Sequence, residues 1–478
     1  MRFRNVLSKA LALVLSFCMV FTIASFPAMA GPAVALPTTI DGLVYLITHD
    51  GVGIYDYIGT KTEIEIPAEI EGYPVTVILD DAFYNCSNLV NIIIPNSVTT
   101  IGRSAFAHCS KLVNISIPDS VTLIYDDSFS FCSSLAEINV STNNNYYCSE
   151  NGVLFNRDKT VLVKYPAKKT DRTYIIPNSV VAIADYAFTE CSSLTSVTIP
   201  NSVTEIGWWA FGQCSSLTSI SIPEGINLIS SYTFCRCTSL EIITIPDSVT
   251  SIIEGAFYGC TALEYISLPN NLETIGSSVF YNCDSLTCIN IPDSVTTIGD
   301  YAFKNCTSLT SITIGDGVTT IGNEAFRYCT FLTSITIPDN VTSIGEWAFS
   351  WCESLTSITI PNSVTEIDSY AFANCEKLAD VYYGGTEEQK EAISIGSFND
   401  ELLNATWHYA DEVTYISGDI NGDDAVNNKD LGVLRQFLNN WDVTIDELAS
   451  DVNRDGAVNN KDLGILRRYL NNWDVELK

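Results

Sequence analysis

One phenylalanine recurs through most of the chain at a fixed interval of 23 residues. A unit of this length is too short to bury its apolar residues alone, whereas stacked units bury them against each other. The period therefore predicts a solenoid that is stabilised by contacts between neighbouring repeats and capped at both ends. Every step but the one from Phe129 to Phe188 is 23 residues in this series: Phe83, Phe106, Phe129, Phe188, Phe211, Phe234, Phe257, Phe280, Phe303, Phe326, Phe349 and Phe372.

Each full unit has the form SLTSITIPNSVTEIGxxAFxxC. The Ile-Thr-Ile alternation and the Val-Thr-x-Ile pair predict short strands, Pro and Gly mark turns, and Ala-Phe-x-x-Cys predicts a tight helical turn. The Leu-Thr-Ser-Ile-Thr-Ile-Pro segment, the Ile-Gly pair and Ala-Phe-x-x-Cys together resemble the BspA-like class of leucine-rich repeats. The resemblance covers residues 79–380 and implies an α/β leucine-rich-repeat solenoid of short strands plus tight helical turns.

The segments outside the period suggest the remaining domain boundaries. Residues 1–30 are typical of a secretory signal peptide, since basic residues precede an apolar run that ends in the small-x-small site Ala28-Met29-Ala30. Residues 31–78 are predicted to be an N-terminal cap, residues 381–410 a C-terminal cap and residues 411–417 a short linker. An inserted hairpin is predicted near residues 141–174, where Asn-Gly and Arg-Asp-Lys turns lie between apolar runs.

The charge balance bears on partners and location. The chain has 56 acidic and 24 basic residues, a formal net charge of −32. Nucleic acids and anionic membranes are bound by clustered Lys and Arg, so neither is an expected partner. No segment after the signal peptide approaches the roughly 20 apolar residues that a membrane span requires. We therefore expect a secreted, extracellular protein.

Twelve cysteines follow the repeated phenylalanines at a distance of three residues, from Cys86 to Cys375. Many cysteines in a secreted protein usually indicate disulfides. Equivalent positions in stacked units point the same way, however, whereas a disulfide needs two Cβ atoms aimed at one another. Strand spacing does not exclude pairing between neighbours. The period favours a buried column of thiols and leaves disulfides between neighbouring units open.

No catalytic constellation is evident in the sequence. The three histidines are far apart, no histidine pair has metal-ligand spacing, and neither a phosphate-binding glycine loop nor a nucleophile elbow is present. Paired carboxylates could still support glycoside hydrolysis, but 56 acidic residues allow no single pair to be chosen. We do not expect an enzyme, and a hydrolase with an unrecognised site remains an alternative.

Six aromatic residues stand two positions before the repeated phenylalanine. In a stack of repeats they would form a broken stripe along one edge. Aromatic faces suit the apolar faces of sugars, so the stripe is a candidate glycan-binding platform. The other interpretation is that the rings pack against each other and cover the turn. The stripe consists of Tyr186, Trp209, Tyr232, Tyr301, Trp347 and Tyr370.

A second repeat, with a spacing of 32 residues, lies in the last part of the sequence, as DINGDDAVNNKD at residues 419–430 and DVNRDGAVNNKD at residues 451–462. Oxygen-bearing side chains at loop positions 1, 3, 5, 9 and 12, with the carbonyl of position 7, match a twelve-residue calcium loop. Two departures are an Asp in place of Glu at position 12 and Asp424 at the position that favours Gly. Two calcium ions are predicted, held by Asp419, Asn421, Asp423, Ala425, Asn427 and Asp430, and by Asp451, Asn453, Asp455, Ala457, Asn459 and Asp462.

Leucines at helical spacing follow each loop, and no comparable amphipathic helix precedes it. Paired loop-helix units of this kind at residues 418–478 resemble a type I dockerin, a small all-α calcium-binding module. The resemblance implies a cohesin module of a scaffoldin as partner. The two copies agree at 19 of 25 positions from residue 419 and from residue 451, so either could present the same face. The residues expected to contact cohesin are Asn428, Lys429, Arg435 and Gln436, and Asn460, Lys461, Arg467 and Arg468.

These features predict a secreted, noncatalytic binding or adhesion solenoid that a calcium-dependent dockerin attaches to a scaffoldin. The resemblance to dockerins implies a cellulosome-like complex that degrades polysaccharides. An adhesin for host or neighbouring cells, suggested by BspA-like relatives, is a further alternative. The sequence leaves open whether the solenoid binds a polysaccharide or a cell-surface protein.

Overall fold

The computed structural model describes residues 38–410 and, further on, residues 420, 426, 428–438, 445, 450, 452 and 458–470. The predicted signal peptide, the first residues of the N-terminal cap and the linker lie outside the described residues. Within the described part, no helix combines the length and the apolar character needed to cross a membrane.

The Ile-Thr-Ile segments form the first of two strand ladders. Neighbouring strands pair in parallel with a register of one repeat, as in Ser219 opposite Ile242, and alternate side chains are buried. The ladder runs, with interruptions, through β4 (Glu63–Glu65), β7 (Asn91–Ile93), β9 (Asn114–Ile117), β11 (Glu137–Val140), β15 (Thr173–Ile175), β17 (Ser196–Thr198), β19 (Ser219–Ser221), β21 (Ile242–Thr244), β24 (Cys288–Ile291), β26 (Ser311–Ile314), β28 (Ser334–Thr336), β30 (Ser357–Ile360), β32 (Asp380–Tyr383) and β34 (Thr406–Tyr409).

The Val-Thr-x-Ile segments form the second ladder, whose strands within the repeats have only two residues. At its N-terminal end it continues into antiparallel strands β1 (Thr38–Ile40), β2 (Leu43–Thr48) and β3 (Gly51–Tyr57), then β6 (Tyr73–Ile78), which also pairs with β5 (Glu69–Ile70). The repeat strands are β8 (Thr100–Ile101), β10 (Leu123–Ile124), β16 (Ala182–Ile183), β18 (Glu205–Ile206), β20 (Leu228–Ile229), β22 (Ser251–Ile252), β23 (Thr274–Ile275), β25 (Thr297–Ile298), β27 (Thr320–Ile321), β29 (Ser343–Ile344), β31 (Glu366–Ile367) and β33 (Ser394–Ile395).

The Ala-Phe-x-x-Cys segments form a third column, which we call the turn column. Each segment is a series of tight turns, such as Cys191 N–H to the Phe188 carbonyl at 3.1 Å, and not a regular helix. The residues two before and two after the phenylalanine have positive φ in most repeats, which breaks the helical geometry. Their N–H groups donate to the next repeat instead, as from Tyr186 to Trp208 at 2.9 Å and from Glu190 to Gly212 at 2.9 Å. Hydrogen bonds therefore connect the repeats along three columns.

The repeated phenylalanines fill the centre of the solenoid. All twelve are almost completely buried, and neighbouring rings stack with centroids 4.9–5.7 Å apart. This confirms the solenoid that the 23-residue period predicts. Burial of this apolar column supplies the main stabilisation that no single repeat could obtain.

The long step between Phe129 and Phe188 has a structural explanation. Strands β12 (Tyr147–Glu150), β13 (Val153–Asn156) and β14 (Val161–Lys164) are antiparallel neighbours, and β14 then pairs in parallel with β16. Residue Tyr165 takes the place of the repeated phenylalanine, stacking on Phe188 at 5.3 Å. Alternate side chains of the insertion point to opposite faces and belong to two separate core clusters, with Phe155 in one and Leu154 in the other. The insertion is therefore a partition within the core.

The predicted C-terminal cap continues both ladders through β32, β33 and β34, with two short helices, α1 (Glu387–Glu391) and α2 (Asp400–Asn404), between them. At this end the turn column has no further repeat to accept its N–H groups. The Asn399 side chain accepts from Phe372 N–H at 3.0 Å, and the Glu401 side chain accepts from Asn374 N–H at 2.8 Å. Buried backbone N–H groups need hydrogen-bond acceptors, and these two side chains supply them at the end of the turn column.

Two helices of equal length lie in the C-terminal part, α3 (Asn428–Leu438) and α4 (Asn460–Leu470). Leu434 and Leu466 are fully buried and form a small cluster with Ile420. Partly buried residues around this cluster include Leu431, Leu438, Leu463 and Leu470. The leucines of the two sequence copies therefore pack the helices together.

Candidate functional site

Three of the twelve predicted calcium ligands lie among the described residues, namely Asp430, Asn459 and Asp462. Asp430 and Asp462 are fully buried at the start of α3 and α4. The Asp430 carboxylate accepts from the N–H of Ile420 at 2.9 Å, and the Asp462 carboxylate accepts from the N–H of Asn459 at 2.9 Å. The other nine ligands lie outside the described residues: Asp419, Asn421, Asp423, Ala425, Asn427, Asp451, Asn453, Asp455 and Ala457.

The environment of the two aspartates fits a calcium site. A buried carboxylate is costly unless it is paired or binds a metal, and each of these occupies the last ligand position of its loop. The hydrogen bond from Ile420, the second loop residue, brings the beginning of the first loop to Asp430 at its end. A bound calcium ion would supply the positive charge that neutralises the Asp430 carboxylate.

The residues expected to contact cohesin occupy corresponding places on the two helices. Lys429 and Arg435 on α3, and Lys461 and Arg467 on α4, are exposed, while Gln436 is half-buried. The side chains of Asn428, Asn460 and Arg468 lie outside those that the structure describes. The two copies therefore each present an exposed Lys and Arg six residues apart, on a protein that is strongly acidic overall.

The aromatic stripe divides into stacked groups. Tyr186, Trp209 and Tyr232 form one stack, with centroids 6.2 and 5.4 Å apart. Trp347 and Tyr370 stack at 4.0 Å, and Tyr370 continues onto the ring of Phe398 at 4.3 Å. Tyr301 stands apart, with the Lys304 ammonium 5.1 Å from its ring centroid.

The environment of these rings favours the packing interpretation. All six stripe residues are half-buried, and a Cβ on Gly255 would lie 2.3 Å from the Tyr232 ring. Except at Tyr301, the faces that would stack on sugars are therefore largely covered by neighbouring rings or backbone. All six residues also have positive φ, between 54° and 61°, which is uncommon for bulky side chains. Stacking between neighbours helps to hold them in this conformation.

Comparison with known families now identifies the solenoid. Residues 54–171, 167–287 and 273–404 match the family described as "BspA type Leucine rich repeat region (6 copies)", and together span almost three quarters of the chain. The chain belongs to the BspA-type leucine-rich repeat family. Residues 417–471 match the dockerin type I domain, so both predicted resemblances are confirmed. Dockerin type I domains bind calcium and cohesin modules, and both domain types are noncatalytic and typical of extracellular or surface proteins.

Several solved structures similar to this BspA-type chain are bacterial leucine-rich repeat proteins. One from Bacteroides ovatus is 29% identical, with 78% of this chain and 99% of that chain covered and a TM-score of 0.45. A leucine-rich cell surface protein from Faecalibacterium prausnitzii is 28% identical, with 76% and 99% covered and a TM-score of 0.39. The leucine-rich repeat protein of T. pallidum is 31% identical, with 48% and 91% covered and a TM-score of 0.30. No curated protein matches the chain.

The cysteines of the BspA-type repeats form a column of buried thiols. Each thiol donates to the backbone carbonyl of the repeated phenylalanine in the preceding repeat, at 3.1–3.3 Å. The distance is 3.7 Å for Cys191, whose acceptor is the carbonyl of Tyr165. Burial raises the pKa of every thiol in the column, to about 12 at Cys132 and Cys375. The column comprises Cys109, Cys132, Cys191, Cys214, Cys237, Cys260, Cys283, Cys306, Cys329, Cys352 and Cys375, none of them in a disulfide.

Alkylation should distinguish these thiols from the others. Because the thiolate is the reactive form, and burial both raises the pKa and blocks access, iodoacetamide should leave the whole column unmodified in native protein at pH 8. After unfolding without reductant, all eleven should react. Mass spectrometry of peptides from the two samples measures this, with half-buried Cys148 and Cys288 as internal comparisons. Disulfide-linked column peptides, or labelling of the column in the native state, would contradict the thiol assignment.

An acid-rich depression of about 280 Å³ lies beside the stripe, lined in part by Asp185, Glu205 and Glu254. Two of these carboxylates already have structural partners. Asp185 accepts from the N–H of Trp208 at 2.7 Å, and Glu254 accepts from the Tyr232 hydroxyl at 2.6 Å. Burial and the hydrogen bond to Glu254 raise the pKa of Tyr232 to about 12, so its phenol stays protonated. These carboxylates hold the turns of neighbouring repeats in place.

Sequence reasoning did not single out the residues that line a larger groove on the turn column. The groove has a volume of about 800 Å³ and crosses five successive repeats. The signal was present in the repeats, where the residue two positions after the repeated phenylalanine varies and the residue four positions after it is mostly Thr in this region. The lining residues are Arg236, Thr238, Tyr258, Gly259, Thr261, Asn282, Asp284, Asn305, Thr307, Tyr328 and Thr330.

Proposed function

We propose that this protein is a secreted, noncatalytic binding subunit that its dockerin attaches to a cohesin module of a scaffoldin, in an extracellular complex that degrades polysaccharides. The repeats supply a long surface for a ligand, and the dockerin supplies the attachment. The observation that carries the proposal is the joining, in one chain, of a BspA-type solenoid over residues 54–404 and a dockerin over residues 417–471.

In this arrangement each region has a separate task. Two calcium ions, held by the two predicted ligand sets, order the loops and fix α3 and α4 against each other. The exposed Lys429, Arg435, Lys461 and Arg467 then contact cohesin through charge-assisted hydrogen bonds. The solenoid remains available for its own ligand. The protein acts by bringing that ligand to enzymes on the same scaffold and carries out no reaction itself.

Charge reversal on the two helices tests the attachment. Because the copies are nearly identical, Lys429→Glu/Arg435→Glu alone should leave cohesin binding almost unchanged, as should Lys461→Glu/Arg467→Glu alone. Reversing all four should weaken binding by at least about 100-fold, since losing each hydrogen bond to a charged group costs about 1.5–3 kcal/mol. The measurement is calorimetry of the full chain against a panel of type I cohesin modules in calcium.

The matched control reverses two exposed basic residues of the solenoid, Arg172→Glu/Lys377→Glu, which changes net charge by the same amount as a single-copy variant. This control should bind cohesin as the wild type does. If the fourfold variant also bound like the wild type, these helix faces would not be the docking surface. If no cohesin in the panel bound the wild type, the proposed attachment would be wrong.

A further inference from the structure

The groove of about 800 Å³ on the turn column offers a regularly spaced binding surface. The phenylalanine rings beneath it, from Phe234 to Phe326, are 5.2–5.6 Å apart. Equivalent positions in successive repeats therefore advance by about this distance along the groove. In an extended β-1,4-linked polysaccharide, successive sugars advance by a very similar distance. A chain lying along the groove would therefore meet one repeat for each successive sugar.

The middle of the groove carries an amide pair with unused hydrogen-bonding capacity. The Asn305 amide donates to the Asn282 side-chain carbonyl at 2.8 Å. Within the described residues, the Asn282 amide group and the Asn305 side-chain carbonyl have no hydrogen-bond partner. Both side chains are half-buried and each is held by the other, so binding a sugar hydroxyl would immobilise little further. The pair thus offers both a donor and an acceptor in fixed positions.

Threonine hydroxyls beside the amides are fixed in the same manner. Thr261 donates to the Thr238 carbonyl at 3.2 Å, and Thr330 donates to the Thr307 carbonyl at 3.3 Å. With their protons committed to the backbone, these hydroxyl oxygens remain acceptors. Sugar hydroxyls both donate and accept, so they complement this lining.

Stacked aromatic side chains flank the polar centre. Tyr258 stacks on Tyr281 at 4.9 Å near the N-terminal side, and Tyr328 stacks on Trp351 at 5.8 Å near the C-terminal side. One face of each ring is covered by its stacked neighbour, and the Arg327 guanidinium lies 4.9 Å from the Tyr328 ring centroid, so a sugar would meet these rings at their apolar edges. The amides therefore lie between two apolar contacts.

The charges of the lining favour an uncharged ligand. Arg236 is exposed and belongs to none of the ion pairs among the described residues, and Asp284 is the one acidic residue of the lining. The lining is therefore close to neutral, in contrast to the net charge of −32 for the whole chain. A polyanion would be repelled by the surrounding protein, whereas a neutral chain would not.

We propose that this groove binds an extended, uncharged β-1,4-linked glycan, with about one sugar to each lining repeat. The inference rests on the proposed binding function of the solenoid and gives it a ligand class and a site. The binding residues are Asn282 and Asn305 at the centre, with Tyr258 and Tyr328 as flanking apolar contacts. The site is separate from the aromatic stripe, whose ring faces are largely covered.

The test uses calorimetry of the full chain in calcium with cellohexaose and xylohexaose, and with α-1,4-linked maltohexaose as a ligand of different geometry. The main variant is Asn282→Gly/Asn305→Gly. Both asparagines have positive φ, 58° at Asn282 and 59° at Asn305. Gly259 already occupies the equivalent position of a neighbouring repeat. The substitution therefore removes the amides without imposing backbone strain.

We expect binding of at least one β-1,4-linked hexaose, weaker binding of maltohexaose, and about a tenfold loss of affinity in the main variant. The matched control, Asn85→Gly/Asn374→Gly, changes the same repeat position outside the groove, with φ of 56° and 62°, and should bind as the wild type does. Thermal melts of both variants verify that the fold is retained.

Three results would overturn the inference: no binding of either β-1,4-linked hexaose, equal binding of maltohexaose, or full affinity in the main variant. A loss of affinity confined to Trp209→Ala/Trp347→Ala would assign the glycan site to the stripe instead. Cohesin capture of the same samples separates the two proposals. Cohesin binding without glycan binding would contradict only the groove proposal. Glycan binding without cohesin binding would contradict only the proposed attachment.

Discussion

Removing calcium should unfold residues 418–478 and abolish cohesin binding while leaving the solenoid folded. The two loops gather many carboxylates, and Asp430 and Asp462 are fully buried. Without a cation, these charges repel each other and the buried ones lose their compensation. Among the described residues of the module, the fully buried apolar ones are Ile420, Leu434, Val452 and Leu466, a small core to offset that cost.

Circular dichroism of the full chain distinguishes unfolding of the dockerin from unfolding of the solenoid. Helices α3 and α4 have eleven residues each, whereas the two helices at the end of the solenoid have five each. Excess chelator should therefore remove most of the helical signal and leave the strand signal, and added calcium should restore it. Asp430→Asn/Asp462→Asn should show the same loss in the presence of calcium. Cohesin binding that persists in excess chelator would contradict the calcium requirement.

Phe257→Ala should destabilise the solenoid by about 3–5 kcal/mol, the usual cost of removing a buried aromatic ring. Phe257 is fully buried between Phe234 and Phe280, with ring centroids at 5.6 and 5.5 Å. Each repeat contacts only its neighbours, so the cavity would weaken both interfaces of one repeat. Hydrogen exchange should show reduced protection of the amides that join these repeats, including Phe234 N–H and Phe257 N–H.

Phe331→Ala is the matched control, because Phe331 is 60% exposed on the same solenoid. It should change stability by no more than about 0.5 kcal/mol, as is usual for surface substitutions. Both variants should bind cohesin equally in calcium at low temperature, where the solenoid is folded. An equal shift of the unfolding midpoint in the two variants would show that the phenylalanine column is not the main source of stability.

The insertion between Phe129 and Phe188 shows how far the sequence pattern could be followed. The phenylalanine at this position is replaced by Tyr165, and the neighbouring alanine by Lys164. Lys164 is buried, which lowers its pKa, and its ammonium donates to the Tyr186 carbonyl at 2.6 Å. Position 165 lies 23 residues before Phe188, so the period reaches it, but a tyrosine next to a lysine lacks the Ala-Phe pattern of the repeat. Stacking on Phe188 reveals that Tyr165 takes the phenylalanine position.

The sequence by itself determined the repeat length, the buried phenylalanine and cysteine columns, and the calcium-loop spacing. These features depend on residue types at fixed local intervals, and the 23-residue period places equivalent residues above one another. Only the tertiary structure decided that the stripe aromatics cover each other's faces and that Arg236, Asn282, Asn305 and Tyr328 line one groove. These four residues share the position two after the repeated phenylalanine, so the period stacks them. Whether their side chains leave an open groove depends on side-chain orientation, which residue spacing does not encode.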